Sequence, residues 1–204
     1  MPFGTQVIGD ANNPPTLVAA PSFVRLGVLS TDAYTGAPGP GIGGGDPEYY
    51  VNAANFYRQI RNIVIQVDIR QIAQGTLITC LHYQVAQATS LQNVELVAAA
   101  GSSQIGMYAE NGSGGKISDF TFTGGGIEIK GGNQQFTAQR LTFNGCTTGI
   151  QVIWDWGWVW KFITMTNVRV GFQLVGYGGV GILTLSRSWT RHLQTSALRL
   201  LSIP

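Results

Sequence analysis

Charge is the scarcest thing in this sequence. Only 11% of its 204 residues are charged, less than half the share of about 25% usual in globular chains. The 12 Lys and Arg are scattered and the formal net charge is +2. This argues against nucleic acid as a partner, because neutralising phosphates needs clustered positive charge. Cysteine is nearly absent: Cys80 and Cys146 cannot make a disulfide framework, and each reads as a small buried hydrophobe with a free thiol. The two histidines, His82 and His192, lie far apart and far from Cys146, so no metal-ligand spacing arises and no metal or cofactor is expected. There is no stretch of about 18 apolar residues, hence no membrane-spanning helix. Met1 to Val18 lacks the basic start and apolar run of a signal peptide.

Glycine is abundant instead, at 28 residues, roughly twice the usual share of about 7%. The apolar residues recur as pairs: Ile63/Ile65, Val94/Leu96, Phe120/Phe122, Leu141/Phe143, Ile163/Met165 and Leu183/Leu185. Successive pairs are 31, 26, 21, 22 and 20 residues apart. Residues 141–152 align with 163–174 without a gap, with Gly149 over Gly171, Gln151 over Gln173 and Cys146 over Val168. A period just above 20 residues, short strands and no helical pattern predict a solenoid. The expected fold is all-β, a right-handed single-stranded parallel β-helix. Six coils stacked about 4.8 Å apart would rise about 24 Å.

Along the chain, a first segment at Thr5–Asp10 precedes a strand pair near Thr16–Ala20 and Phe23–Leu29. A Gly/Pro loop from Thr35 to Pro47 follows, which can be neither helix nor central strand. The repeat core is expected over about 50–186 and an irregular tail over 187–204, the whole of 1–204 forming one partial β-helix domain truncated at both ends. Neither end carries the polar cap a solenoid needs.

Several blocks are peculiar enough to identify. They are Gln6-Val-Ile-Gly-Asp10, Ala20-Pro-Ser-Phe23, Gly27-Val-Leu-Ser-Thr-Asp32, Asn55-Phe-Tyr-Arg-Gln-Ile-Arg-Asn62, the run from His82 to Asn93, Glu110-Asn-Gly-Ser-Gly-Gly115, Gly132-Asn-Gln-Gln-Phe136 and the run from Trp154 to Trp160. Over roughly residues 5 to 185 the chain resembles fungal exo-1,3-β-glucanases of glycoside hydrolase family 55. The resemblance implies a secreted, extracellular parent enzyme that releases glucose from β-1,3-glucan with inversion. It also implies two β-helices side by side with substrate between them. The chain then corresponds to part of the first, and the second, which carries the general-acid glutamate, is a missing partner. On this reading the isolated chain is inactive.

Inverting hydrolysis needs a protonated carboxyl and an oriented water on opposite faces of the bond. Among the ten carboxylates, Glu110 is the best placed, opening a Gly-framed turn where a ligand can approach backbone. Its blander reading is a turn residue bound to backbone amides. The resemblance points to neutral polar groups that hold sugar and water: Gln92 and Ser113 as water- or sugar-positioning candidates beside Glu110, and Gln84 and Gln87 as substrate-binding candidates. The alternative for all four is a hydrogen-bonded ladder between coils. His82 reads as a structural imidazole or as a contact to a sugar hydroxyl.

Trp154, Trp156, Trp158 and Trp160 alternate with Asp155, Gly157 and Val159, so an unbroken strand would put all four indoles on one face. A slim coil cannot bury four indoles, and some must face sugar or a partner β-helix. The Asn111-Gly-Ser113 triplet matches the N-glycosylation pattern, which matters only in an exported chain. Two functions remain open: the glucan-recognising part of a β-1,3-glucan hydrolase, or a non-catalytic β-helix that binds glucan or self-associates through exposed edges or its Trp face. A pectin-degrading β-helix with clustered aspartates is disfavoured, because Asp68, Asp119 and Asp155 are isolated.

Overall fold

The computed structural model describes residues 1–2, 4–20, 22–23, 25–34, 48–50, 54–67, 78–175, 180–184 and 201–202. The Gly/Pro loop, Asp68, Leu185 and most of the tail lie outside the described residues. In chain order the strands are β1 (Gln6–Ile8), β2 (Thr16–Ala19), β3 (Gly27–Ser30), β4 (Gln59–Val67), β5 (Thr79–Gln84), β6 (Gln87–Val97), β7 (Ile105–Thr123), β8 (Ile127–Gln134), β9 (Thr137–Asn144), β10 (Thr148–Thr166), β11 (Val170–Leu174), β12 (Val180–Thr184) and β13 (Leu201–Ser202). The ladders between them are parallel, and each coil pairs with the next, which makes a β-solenoid.

The hydrophobic pairs of the repeat are the core file of one face. Ile63, Val94, Phe120, Leu141 and Ile163 stand opposite one another in register. All five are buried, and each fully buried large apolar side chain contributes roughly 1.5–3 kcal/mol. Phe122 and Phe143, the second members of their pairs, stack with ring centroids 4.7 Å apart. The gapless alignment holds residue by residue, with Leu141 opposite Ile163 and Gln151 opposite Gln173. The sixth pair departs from it. The backbone of Leu183 stands opposite Trp160 rather than Ile163, one face earlier in the coil.

Two other expectations need correction. The solenoid does not begin near Tyr50: β1 and β2 already pair with β4, and β3 pairs with β5. Nor do the early strands pair with one another, since each finds its partner one coil later. Parallel pairing forbids a tight hairpin between neighbours, so the chain must go round before it pairs.

The faces meet at corners built from left-handed residues. Asn62, Asn93, Asp119, Arg140 and Phe162, with φ from 52° to 60°, occupy one such corner in successive coils. Asn93 Nδ2 donates to Asn62 Oδ1 at 3.0 Å, and Arg140 grips Asp119 with two hydrogen bonds of 2.5 and 2.8 Å. Asn tolerates this backbone region, and its amide can bond the coil below. At a second corner sit Tyr57, Ala88, Gly114, Gln135 and Gly157, again all with positive φ.

That second corner overturns the expectation that the four indoles share one face, although some of them do point outward as expected. Gly157, at φ 73°, breaks the strand alternation within β10. Past it, Trp158 and Trp160 turn into the core, stacked on each other at 4.4 Å and on Phe136. Before it, Trp154 stays half-buried and Trp156 is 61% exposed. Cys80 and Cys146 are free and buried, as expected.

Candidate functional site

The third face runs through β3, β5, β7, β8, β10 and β11. Leu81, Met107, Ile129 and Ile150 form its inward file. The neighbouring file points outward and is polar: Ser30, His82, Tyr108, Lys130, Gln151 and Gln173, one per coil. Further along each coil lies a parallel file of Gln84, Glu110, Gly132 and Trp154, two residues on in the first three and three residues on in β10, where the register shifts between Val152 and Trp154. Alternation along a strand is what separates the inward from the outward set.

Glu110 is the centre of this surface. Its Oε2 lies 3.1 Å from His82 Nε2 and also accepts a hydrogen bond from Tyr34. The other side of the imidazole is held by Ser30, whose Oγ is 2.8 Å from His82 Nδ1 and which donates to the Asp32 carbonyl oxygen. The imidazole ring sits between Tyr34 and Tyr108, with centroids 5.8 Å from each. Lys130 Nζ lies 5.0 Å over the Tyr108 ring, which gives a cation–π contact.

Burial pushes the Glu110 pKa up, but hydrogen bonds from His82, Tyr108 and Tyr34 outweigh it and hold the carboxyl below its ordinary range. The two tyrosines move the other way, raised by burial and then by Glu110 itself. Glu110 is therefore a fixed carboxylate ringed by hydrogen-bonding partners. Such a group can hold a hydroxyl or a water in one orientation, but it is a poor proton donor.

Two more carboxyls border it. Asp32 Oδ1 accepts from the amides of Ala33 and Tyr50, at 2.7 and 3.1 Å. Burial still raises its pKa. Glu48 Oε1 accepts from Asn111 Nδ2 at 3.0 Å. Its pKa is raised by burial and then by the charges of Asp32 and Glu110, against the pull of the Asn111 and Gln84 amides.

The remaining candidates are dispersed. Gln84 stands opposite Glu110 in the adjacent coil, although its side chain is buried rather than presented to solvent. Ser113 Oγ donates to Gln135 Oε1 in the next coil at 3.1 Å, which is the ladder role. Gln87 is exposed at the second corner, opposite Ser113. Gln92 is exposed on a different face, in register with Arg61 and Ser118, and does not join the cluster. Trp158 and Trp160 are core residues and cannot touch a ligand.

Trp154 does join the site. A side chain at Gly132 would come within 2.5 Å of Trp154 Nε1, so the indole occupies the space that glycine leaves open. The Glu110–Gly132–Trp154 file thus places a carboxylate and an indole two coils apart on one surface.

Sequence reasoning missed Ser30, Tyr34, Glu48 and Tyr108. It also missed Glu128, a fully buried carboxyl whose oxygens have no partner and whose pKa burial pushes up to about 8. Among the described residues no group of three or more His, Cys, Asp or Glu side chains could hold a metal ion. No described helix is long and apolar enough to cross a membrane.

Comparison with known proteins adds the following. A family model described as rhamnogalacturonase A/epimerase, pectate lyase-like, matches residues 1–173. The chain is 40% identical over 180 residues to a probable glucan endo-1,3-beta-glucosidase of Arthroderma benhamiae, covering 86% of this chain and 19% of that protein. It is 33% identical over 182 residues to a glucan 1,3-beta-glucosidase of Cochliobolus carbonum, covering 88% and 22%. It is also 40% identical over 179 residues to the non-secreted LysM effector LysM19 of Penicillium expansum, covering 87% and 13%. The chain therefore spans less than a quarter of the length of these relatives.

Proposed function

The chain belongs to the rhamnogalacturonase A/epimerase, pectate lyase-like family, and from that premise we propose that it is the glucan-contacting β-helix of a β-1,3-glucan hydrolase. Two relatives that match most of this chain are named for action on 1,3-β-glucan, which supports the substrate class. The observation that carries the reading is the file in which Glu110 and the Trp154 indole share one surface across Gly132. An indole face suits the C–H surface of a sugar ring, and a fixed carboxylate accepts from its hydroxyls. Parallel files rising one coil at a time suit an extended polymer better than a compact ligand. In the whole protein this face lines a cleft closed by a further β-helix, and glucose leaves from the chain end outside the cell.

The test is laminarin binding to the 204-residue protein, followed by Trp fluorescence. Glu110→Gln should weaken it about tenfold or more, the worth of one hydrogen bond to a charged group, and Trp154→Ala should weaken it by loss of the ring face. Equal affinity in both variants would place the glucan elsewhere.

The second reading, self-association, has one observation in its favour. Ile8, Leu17 and Val18 on the first coil are 53%, 39% and 58% exposed, beside an edge that can accept another strand. A mass by light scattering that stays monomeric as concentration rises would remove this reading.

A further inference from the structure

Next to Trp154, and outside the Glu110 file, stands Trp156. It is the last residue of β10 before the corner at Gly157, and it is 61% exposed. Asp155 between the two indoles is buried, so strand alternation sends both of them outward. They meet edge to face, with centroids 5.9 Å apart and planes inclined at 69°. Trp154 is fixed in place, because its five-membered ring fills the space over Gly132. Trp156 leans on it and leaves most of its own surface to solvent.

A second polar file leads to Trp156. Gln87, Ser113, Gln134 and Trp156 stand opposite one another in successive coils, as Gln84, Glu110, Gly132 and Trp154 do. The two files run side by side, and each reaches one of the two indoles in β10. Gln87 is exposed, and Ser113 and Gln134 are half-buried. The Ser113 hydroxyl gives its proton to Gln135 Oε1, which leaves its oxygen free to accept. The amides of Gln87 and Gln134 can both donate and accept, as sugar hydroxyls require. The surface is therefore a corner with two walls. One carries Glu110 and Trp154, the other neutral polar groups and Trp156.

We propose, resting on the glucan reading above, that Trp156 and its file form a second wall of the glucan site, and that the angle between the two indoles selects the 1,3 linkage. A β-1,4-linked chain is a flat ribbon, whose successive rings offer their faces to coplanar aromatic rings in a row. A β-1,3 linkage turns the chain, so successive rings present their C–H faces in different directions. Two indoles inclined at 69° can each cover one ring of such a chain. On a flat ribbon they cover one ring and meet the next edge-on. Selectivity is a difference between two affinities, and Trp156 adds to only one of them. Glu110 accepts from a hydroxyl of either chain and does not discriminate between them.

The experiment is calorimetric titration with laminarihexaose and with cellohexaose, for the wild type, Trp156→Ala and Trp156→Phe. The wild type binds laminarihexaose the more tightly. Trp156→Ala loses roughly two- to tenfold of that affinity, the worth of one ring contact, while its affinity for cellohexaose is unchanged. Trp156→Phe keeps a flat ring and with it most of the selectivity. Because Trp156 is exposed, neither variant empties the core. Equal losses for the two sugars, or no loss for either, overturn linkage selection and leave the glucan reading standing on Glu110 and Trp154. Absence of laminarihexaose binding by the wild type overturns both.

Discussion

His82 Nε2 lies 3.1 Å from Glu110 Oε2, and that same oxygen accepts from Tyr34, so one carboxylate atom ties β5 and the segment after β3 to β7. The relationship joins residues 28 and 76 positions apart. It makes the surface of the third face dependent on one charge.

The pH response of this knot has a definite sign. The Glu110 pKa is lowered in the folded chain, so its contribution is full above the unfolded value of 4.5 and is lost as pH falls through the folded one. Glu110→Gln should cost about 1–3 kcal/mol at pH 7 and flatten the loss of stability towards acid. Urea unfolding at pH 7 and pH 3 measures both. An unchanged acid slope would mean that the knot carries no stability.

Glu128 has the opposite sign. Its folded pKa is about 8 against 4.5 unfolded, raised by burial. The neutral carboxyl is favoured in the core, so its contribution is full below 4.5 and is lost as pH rises towards about 8. Glu128→Gln should therefore be the more stable protein at pH 9, by an amount on the order of 3 kcal/mol or more, and should differ little at pH 4. Parallel thermal unfolding curves for the two proteins across that range would contradict this.

The thiols should be inert. Burial raises the pKa of Cys80, and that of Cys146 to about 12, and only the thiolate reacts. At pH 8 the native protein should leave a disulfide reagent unconsumed while the urea-unfolded chain titrates both cysteines. Rapid native labelling of either would place that side chain at the surface.

Trp156 and Trp158 should behave as different residues despite lying two apart. Trp158→Ala should cost about 3–5 kcal/mol, the usual cost of emptying a buried aromatic site. Trp156→Ala should stay within about 0.5 kcal/mol of the wild type. Comparable losses from both would mean that Gly157 does not turn the strand.

These residues also show where the sequence was informative. The file from Ile63 to Ile163 could be read because each coil repeats one inward step, and the register follows from counting. Leu183 misled because a coil of different length places the same apolar step on another face. The tryptophans misled because strand alternation was carried through Gly157, whose positive φ is a corner. Gln135 and Gly114, at equivalent positions one and two coils earlier, held the only hint. Glu110 was visible through its glycine-framed turn. Tyr34 and Glu48 were not, because a solenoid brings together residues separated by whole coils, and nothing local in either marks the other.

The central claim is that the surface around Glu110 and Trp154 takes β-1,3-glucan. Isothermal titration of the 204-residue protein with laminarin oligosaccharides, with an α-glucan of equal length as control, tests it most directly. The account predicts saturable binding of the β-1,3 ligand alone, weakened by Trp154→Ala and unaffected by Arg140→Ala on the opposite corner. Equal binding of both glucans, or binding that ignores Trp154, would contradict it.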